Sequence, residues 1–239
     1  MRTKWYVLSL MLAAACAALM NVTAVVAQDK TADKAADKGK TIELLKGASL
    51  DDFEFFLDEG AKKTDVYSLG ADGVLKVAGK PFGWLGTKKL YHNFEVCGEF
   101  RYPDKTNMVN SGLFLRVCKS TPTFLPKCVE VQLAPKSLGD LYGFWNMKIT
   151  GDQERSRLVE NHKVVEVLRS VKHFRNEKKD DMTQWNKVHV VCFEDLIVVR
   201  MNGKIVNWAT GLENVPGRIA FQSEGAPVEF RNFTVKVLD

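Results

Sequence analysis

The sequence predicts an all-β fold, an antiparallel two-sheet sandwich carrying one charged insertion. Three observations predict it. From Thr41 onward, short apolar runs are separated by Gly, Asn, Asp or Pro, the spacing expected of many short strands. Asn202-Gly203 divides the run Leu196–Met201 from Lys204-Ile205-Val206, and that dipeptide favours a tight hairpin turn. Within runs such as Val129–Leu133, apolar and polar residues alternate, so each strand would present an aliphatic side and a polar side. An eight-stranded up-and-down barrel is the alternative closure.

Taken in order, Met1–Ala27 contains Arg2 and Lys4, an apolar segment from about Tyr6 to Met20, and small residues at Val25-Val26-Ala27. This pattern reads as an export signal cleaved before Gln28, which places the protein in the periplasm or outside the cell. A transmembrane anchor is the competing reading, opposed by Asn21 and Thr23, which interrupt the apolar run. Lipid attachment at Cys16 is opposed by Ala13 ahead of it. Residues 28–40 (QDKTADKAADKGK) are charged and almost without large apolar side chains, hence a flexible leader. Residues 41–239 then form one domain, with no membrane span expected in the mature chain.

Strand candidates are Val74–Val77, Leu90–Tyr102, Gly112–Cys118, Val129–Leu133, Lys187–Phe193, Leu196–Met201, Arg218–Gln222 and Val228–Val237. Met147–Asp181 departs from the pattern. It holds nine Lys/Arg and seven Asp/Glu, with helix-like spacing around Arg157–Val171. Balanced charge of that kind marks a solvated insertion; the sharper reading is a lid over the polar face. The net charge of +5, less the two charges of Arg2 and Lys4, leaves +3 without a basic stripe. No nucleic-acid partner is expected.

Four cysteines remain beyond the signal, Cys97, Cys118, Cys128 and Cys192. In an oxidising compartment they allow three pairings. Cys118 and Cys128 flank the short loop Lys119–Lys127, and their pairing would stabilise the fold by roughly 2.5–3 kcal/mol, leaving Cys97 with Cys192. Free, buried thiols are the alternative. There is no Cys-x-x-Cys or His-x₃-His spacing, so no metal and no cofactor are expected. A divalent ion on Asp140 or Glu130 is conceivable chemistry that no spacing supports.

The stretch Asn110–Trp145 carries the candidate site. By alternation Leu113, Leu115, Val117, Val129, Val131 and Leu133 are aliphatic, while Phe114, Arg116, Cys118, Cys128, Glu130 and Gln132 share the opposite side. Arg116, Glu130 and Gln132 are therefore expected together.

Six segments, in this order, resemble the 3-keto-disaccharide hydrolase family, whose domains are also described as 3-keto-glucoside 1,2-lyase/hydratase. They are Phe82-Gly83-Trp84-Leu85 with Asn93-Phe94-Glu95-Val96; Asn110 to Arg116 (NSGLFLR); Glu130-Val131-Gln132; Leu141-Tyr142-Gly143; Gln184-Trp185-Asn186; and Ala220 to Asn232 (AFQSEGAPVEFRN). The resemblance spans about residues 41–239. It implies a concanavalin-like two-sheet jelly roll, an exported bacterial protein, and a small carbohydrate partner whose sugar bears a ketone at carbon 3. Ala134-Pro135 stands where the family often has an Asp.

A ketone at carbon 3 acidifies the hydrogen on carbon 2, so a base can remove it and the oxygen on carbon 1 then leaves. Readdition of water gives net hydrolysis. That chemistry needs a base, a donor for the enolate oxygen and an acid for the leaving group. Glu130 is the expected base or acid, with an ion pair to Arg116 as its structural alternative. Arg116 would stabilise the enolate, Tyr142 would donate a proton, and Glu224 is the second carboxylate. Asn110 and Gln132 would orient hydroxyls, Trp145 would stack on a sugar face, and His92 is a further substrate-binding candidate. A non-catalytic carbohydrate-binding module and an envelope interaction protein are the competing functions.

Overall fold

A computed structural model describes residues 37–174 and 180–239. The predicted signal, and the leader up to residue 36, lie outside them. Lys40–Leu238 forms one compact unit. It contains β1 (Thr41–Glu43), β2 (Phe53–Leu57), β3 (Tyr67–Leu69), β4 (Leu75–Val77), β5 (Gly83–Thr87), β6 (Phe94–Arg101), β7 (Gly112–Lys119) and β8 (Lys127–Gln132). After these come β9 (Leu141–Phe144), β10 (Ser156–His162), β11 (Glu166–Val171), β12 (Asn186–Phe193), β13 (Leu196–Met201), β14 (Lys204–Ala209), β15 (Arg218–Ser223) and β16 (Val228–Val237). The first sheet runs β14-β13-β12-β6-β16-β4-β3, with β1 also on β16; the second runs β10-β11-β9-β8-β7-β15-β5-β2. All pairings are antiparallel.

Alternation positions the core between these sheets. On β6, Phe94, Val96 and Phe100 are buried while Glu95, Cys97 and Glu99 turn outward. On β8, Val129 and Val131 join the same interior cluster as Leu113, Leu115, Phe230 and Phe233. Phe221 packs edge-on against Phe233 with centroids 4.9 Å apart, a preferred aromatic geometry. Gly98 makes that packing fit, because a Cβ there would lie 2.3 Å from the Phe233 ring.

Three expectations are corrected here. The segment Arg157–Val171 is not helical: it forms the hairpin β10–β11, which joins the second sheet beside β9. Valines 159, 164, 165, 167 and 171 favour strand over helix, and β9 offers an open ladder to extend. Val164 and Val165, at the hairpin turn, pack against the apolar cluster on the outer face of that sheet. The stretch Ser156–Val171 of the charged insertion is thus a sheet edge.

Second, the four cysteines among the described residues are free thiols. Cys97 faces outward on β6, whereas Cys192 on β12 is buried in the interior cluster, so adjacent strands present the two sulfurs to opposite faces. Cys128 is buried on the outer face beside Val117, while Cys118 is exposed and directs its Sγ to the Lys127 carbonyl.

Third, Arg116 does not share a face with Glu130. Its backbone adopts φ 52°, and the pairings of β7 with both neighbours slip around it. This β-bulge reverses the alternation, so Val117 takes the outer face. The Arg116 guanidinium is fully buried, donating from Nη1 to the Glu213 carbonyl at 2.8 Å and from Nη2 to the His92 carbonyl at 3.1 Å.

Candidate functional site

The outer face of the second sheet is divided lengthwise. One end is apolar, formed by Phe114, Val117, Leu125, Cys128, Phe144 and Val165. The other end is polar because the same alternation that buries Val129 and Val131 puts Glu130 and Gln132 outward. Ladder register adds their neighbours: Gln132 faces Gly112, and Glu130 faces Phe114 on one side and Tyr142 on the other. Across β7, β15 contributes Gln222, paired with Trp84 of β5.

Glu130 is 2% exposed, and its Oε1 has no hydrogen-bond partner. The Oε1 of Gln222, wholly buried, is also without one. Both oxygens crowd the place a Cβ on Gly112 would occupy, 2.1 and 2.9 Å from it. Only glycine leaves room for them. Burial, reinforced by the charge of Glu224, raises the Glu130 pKa well above the usual carboxylate range. A protonated Glu130 supplies the hydrogen that these two acceptors otherwise lack.

Glu224 follows β15 and is half-buried. Gln222 Nε2 donates to its Oε2 at 2.5 Å, and the Asn110 side chain also hydrogen-bonds to it. Burial lifts its pKa to about 7 against those two bonds, which pull downward. Two carboxyls in unlike surroundings thus hold their protons differently, the pattern that separates acid from base in an active site.

On the other flank Tyr142 stacks parallel to Phe144 at 6.4 Å, and its hydroxyl donates to Asp140 Oδ2 at 3.2 Å. Burial, then the charges of Asp140 and Glu130, raise the phenol pKa, so it keeps its proton. Asp140 Oδ1 accepts from the His173 backbone N–H at 2.7 Å and lies 2.6 Å from its ring Nδ1. Neither Asp140 nor His173 stands out in the sequence as a pair. Asp140 is found by parity with Tyr142, but only the end of β11 brings His173 to it.

A cleft of about 1050 Å³ opens at this polar end, lined by Asn110, Gln132, Pro135, Lys136, His173 and Asp181 among others. Neither Glu130 nor Glu224 lines it; Asn110, which hydrogen-bonds to Glu224, and Gln132, two residues along β8 from Glu130, connect the cleft to the carboxylate pair. Gln132 accepts from the Leu133 and Ala134 amides through Oε1, both at 2.9 Å, which leaves its Nε2 hydrogens for the cleft. The Oδ1 of Asn110 is buried and unpartnered, an acceptor awaiting a donor.

The remaining candidates fall elsewhere. His92, with its carbonyl on the buried Arg116, belongs to the far end of β7 from Gly112. Trp145 donates from Nε1 to the Leu125 carbonyl at 2.7 Å and packs on the apolar end of the face. Among the described residues, no group of three or more His, Cys, Asp or Glu side chains is arranged to hold a metal ion. No helix among them is long and apolar enough to cross a membrane.

The family model of the 3-keto-alpha-glucoside-1,2-lyase-like domain matches residues 40–236. The chain belongs to that family. Membership in the lyase-like family supports a carbohydrate-active function, and the face just described is where its polar groups gather. No curated protein matches the sequence. Two solved structures from Parabacteroides distasonis ATCC 8503, each carrying the name glycosyl hydrolase, superimpose with TM-scores of 0.56 and 0.55. They are 17% and 19% identical, over 87% and 83% of this chain and 97% and 100% of theirs. The carbohydrate-binding module CBM66 from Bacillus subtilis is also similar, with a TM-score of 0.51 and 11% identity over 76% of this chain and 94% of that one. At such identities the likeness is one of fold, a concanavalin-like jelly roll.

Proposed function

We propose that the protein cleaves glycosides whose sugar carries a ketone at carbon 3, outside the cytoplasm, by proton abstraction at carbon 2 and elimination at carbon 1. The observation that carries this reading is the pair of neighbouring carboxyls with unequal proton affinity, Glu130 and Glu224, bridged by Gln222. Glu224, with a pKa of about 7, is substantially ionised near neutrality and suits a general base. Its carboxylate takes the hydrogen from carbon 2, and the electron pair delocalises onto the carbon 3 oxygen as an enolate. Glu130, kept neutral by burial, turns its single hydrogen from Gln222 Oε1 toward that developing charge, the part a protonated carboxylic acid plays in an apolar site. This role replaces the one expected of Arg116. The enolate then collapses, the bond from carbon 1 to its oxygen breaks, and a carbon 1–carbon 2 double bond remains. Addition of water at carbon 1 and return of the proton to carbon 2 complete hydrolysis. Asn110 Oδ1 and Gln132 Nε2 are suited to orient sugar hydroxyls.

The test is incubation of purified protein with 3-keto-trehalose or 3-keto-sucrose, with release of a monosaccharide as the readout. Glu224→Gln is expected to lower kcat by about 10²–10⁴-fold with sugar binding retained. Binding of the keto-sugar by the parent without any release would show a carbohydrate-binding module instead and refute the assignment.

A further inference from the structure

We propose that His173 is a second proton-transfer residue, acting on the oxygen at carbon 1 from within the cleft while Glu224 acts from beside Asn110, with Asp140 as its positioning residue. This inference rests on the keto-glycoside reading above. It answers a need that reading leaves open: the departing oxygen must gain a proton and the incoming water must lose one.

Asp140 is almost wholly buried and places one carboxylate oxygen against two N–H groups of the same residue, the backbone amide and ring Nδ1 of His173. Its second oxygen accepts from the Tyr142 hydroxyl. A carboxylate can only accept in these contacts, so Nδ1 keeps its proton and Nε2 is the position that gains and loses one. The ring is 27% exposed and lines the cleft, and among the described residues its Nε2 has no protein partner. This is the arrangement by which a carboxylate fixes the tautomer of a general-base histidine.

Placement agrees with the role. Glu224 leans to Asn110, next to β7, whereas His173 is held at β9, and β8 with Glu130 lies between. Three strand spacings, from β15 to β9, put the backbones that hold Glu224 and His173 roughly 14 Å apart, and the hydrogen bond between Asn110 and Glu224 narrows that gap. The remaining space is wider than the separation of paired carboxyls that leave room for a single water, as it must be to hold a sugar ring together with the departing oxygen. In the first half-reaction, protonated His173 gives its Nε2 proton to the leaving oxygen as the bond to carbon 1 breaks. In the second, water adds to carbon 1, its proton passes to Nε2, and the carbon 1–carbon 2 electrons shift toward the ketone until Glu224 returns its proton to carbon 2. Both residues finish as they began.

The experiment follows two signals on the full-length protein in D₂O: deuterium entering carbon 2 of the 3-keto-glycoside, and release of the monosaccharide. His173→Gln should cut release by about 10²–10³-fold with KM little changed, while exchange at carbon 2 continues; Glu224→Gln should stop both. Added imidazole should restore release in His173→Ala. Nitrogen-15 spectra of the parent, taken at a pH where the ring is neutral, should show the Nδ1–H tautomer at His173, lost in Asp140→Asn. Release undiminished in His173→Gln, or an Nε2–H tautomer in the parent, overturns the assignment of His173 alone. A parent that neither exchanges nor cleaves overturns the keto-glycoside reading as well. If His173→Gln misfolds, imidazole rescue of a folded His173→Ala decides the question, and failure of rescue counts against the proposal.

Discussion

Glu224→Gln has a stability consequence that can be worked out before any substrate is found. In the folded chain burial lifts the Glu224 pKa to about 7 from an ordinary 4.5. Between those values the unfolded chain has released the proton while the folded chain still binds it. Stability therefore falls as pH rises, by about 1.4 kcal/mol per pH unit, and the contribution is fully present only below about 4.5. Over the whole window the parent loses about 3 kcal/mol at this site. Glutamine does not titrate, so the loss disappears in the variant. Removing the Glu224 charge also relieves the neighbouring Glu130, which acts in the same direction. The variant forfeits part of the hydrogen bonding to Gln222 and Asn110, a deficit of about 1 kcal/mol that is present at every pH. Relative to the parent, Glu224→Gln should be slightly less stable at pH 4 and more stable at pH 8. Urea unfolding of both proteins at pH 4, 6 and 8 measures the difference. A difference that stays constant within about 0.5 kcal/mol across that range would mean the carboxyl ionises as it does in water, and the acid–base argument would fall with it.

Other substitutions probe the surroundings. Gly112→Ala forces a methyl group against the carboxyl oxygen of Glu130 and should lower stability by about 1–3 kcal/mol, read as a Tm drop of roughly 3–10 °C, with cleavage impaired. Arg116→Met strands the carbonyls of His92 and Glu213; it should destabilise by at least about 3 kcal/mol in urea unfolding, while turnover per folded molecule is retained. Thiol titration of the native protein should label Cys118 first. Cys128 and Cys192 should react only on unfolding, since both are buried and burial pushes the Cys192 thiol up to about 12.

The legibility of the site follows from local geometry. Glu130, Gln132 and Tyr142 were readable because β8 and β9 keep strict alternation, so each residue's face is set by its distance from Val129 or Leu141. The same rule failed for Arg116 because a single residue with φ 52° inserts a half-step, and arginine at such a φ leaves no mark in the sequence. The same rule opposes Cys97–Cys192, because the inward parity of Val96 and Val190 turns Cys97 outward and Cys192 inward. The hairpin β10–β11 was obscured by its charges, which mimic a solvated helix; its valines and the open edge of β9 decided otherwise. His173 was unreadable for a different reason. Its meeting with Asp140 spans 33 residues and depends on where a sheet edge ends, a property of the assembled molecule.

The order of strands has a consequence for how the molecule comes into being. β15 lies between β7 and β5 in one sheet, and β16 between β6 and β4 in the other. These two strands thus close both halves, and a chain in which they have not yet docked has a gap in the middle of each sheet. Long-range closure of that kind is slow and leaves ladder edges exposed in the meantime. It also supplies Gln222, just ahead of Glu224, on the seam itself. Copies in which β15 and β16 have not docked would accordingly lack the assembled polar face and be prone to aggregate or to be degraded.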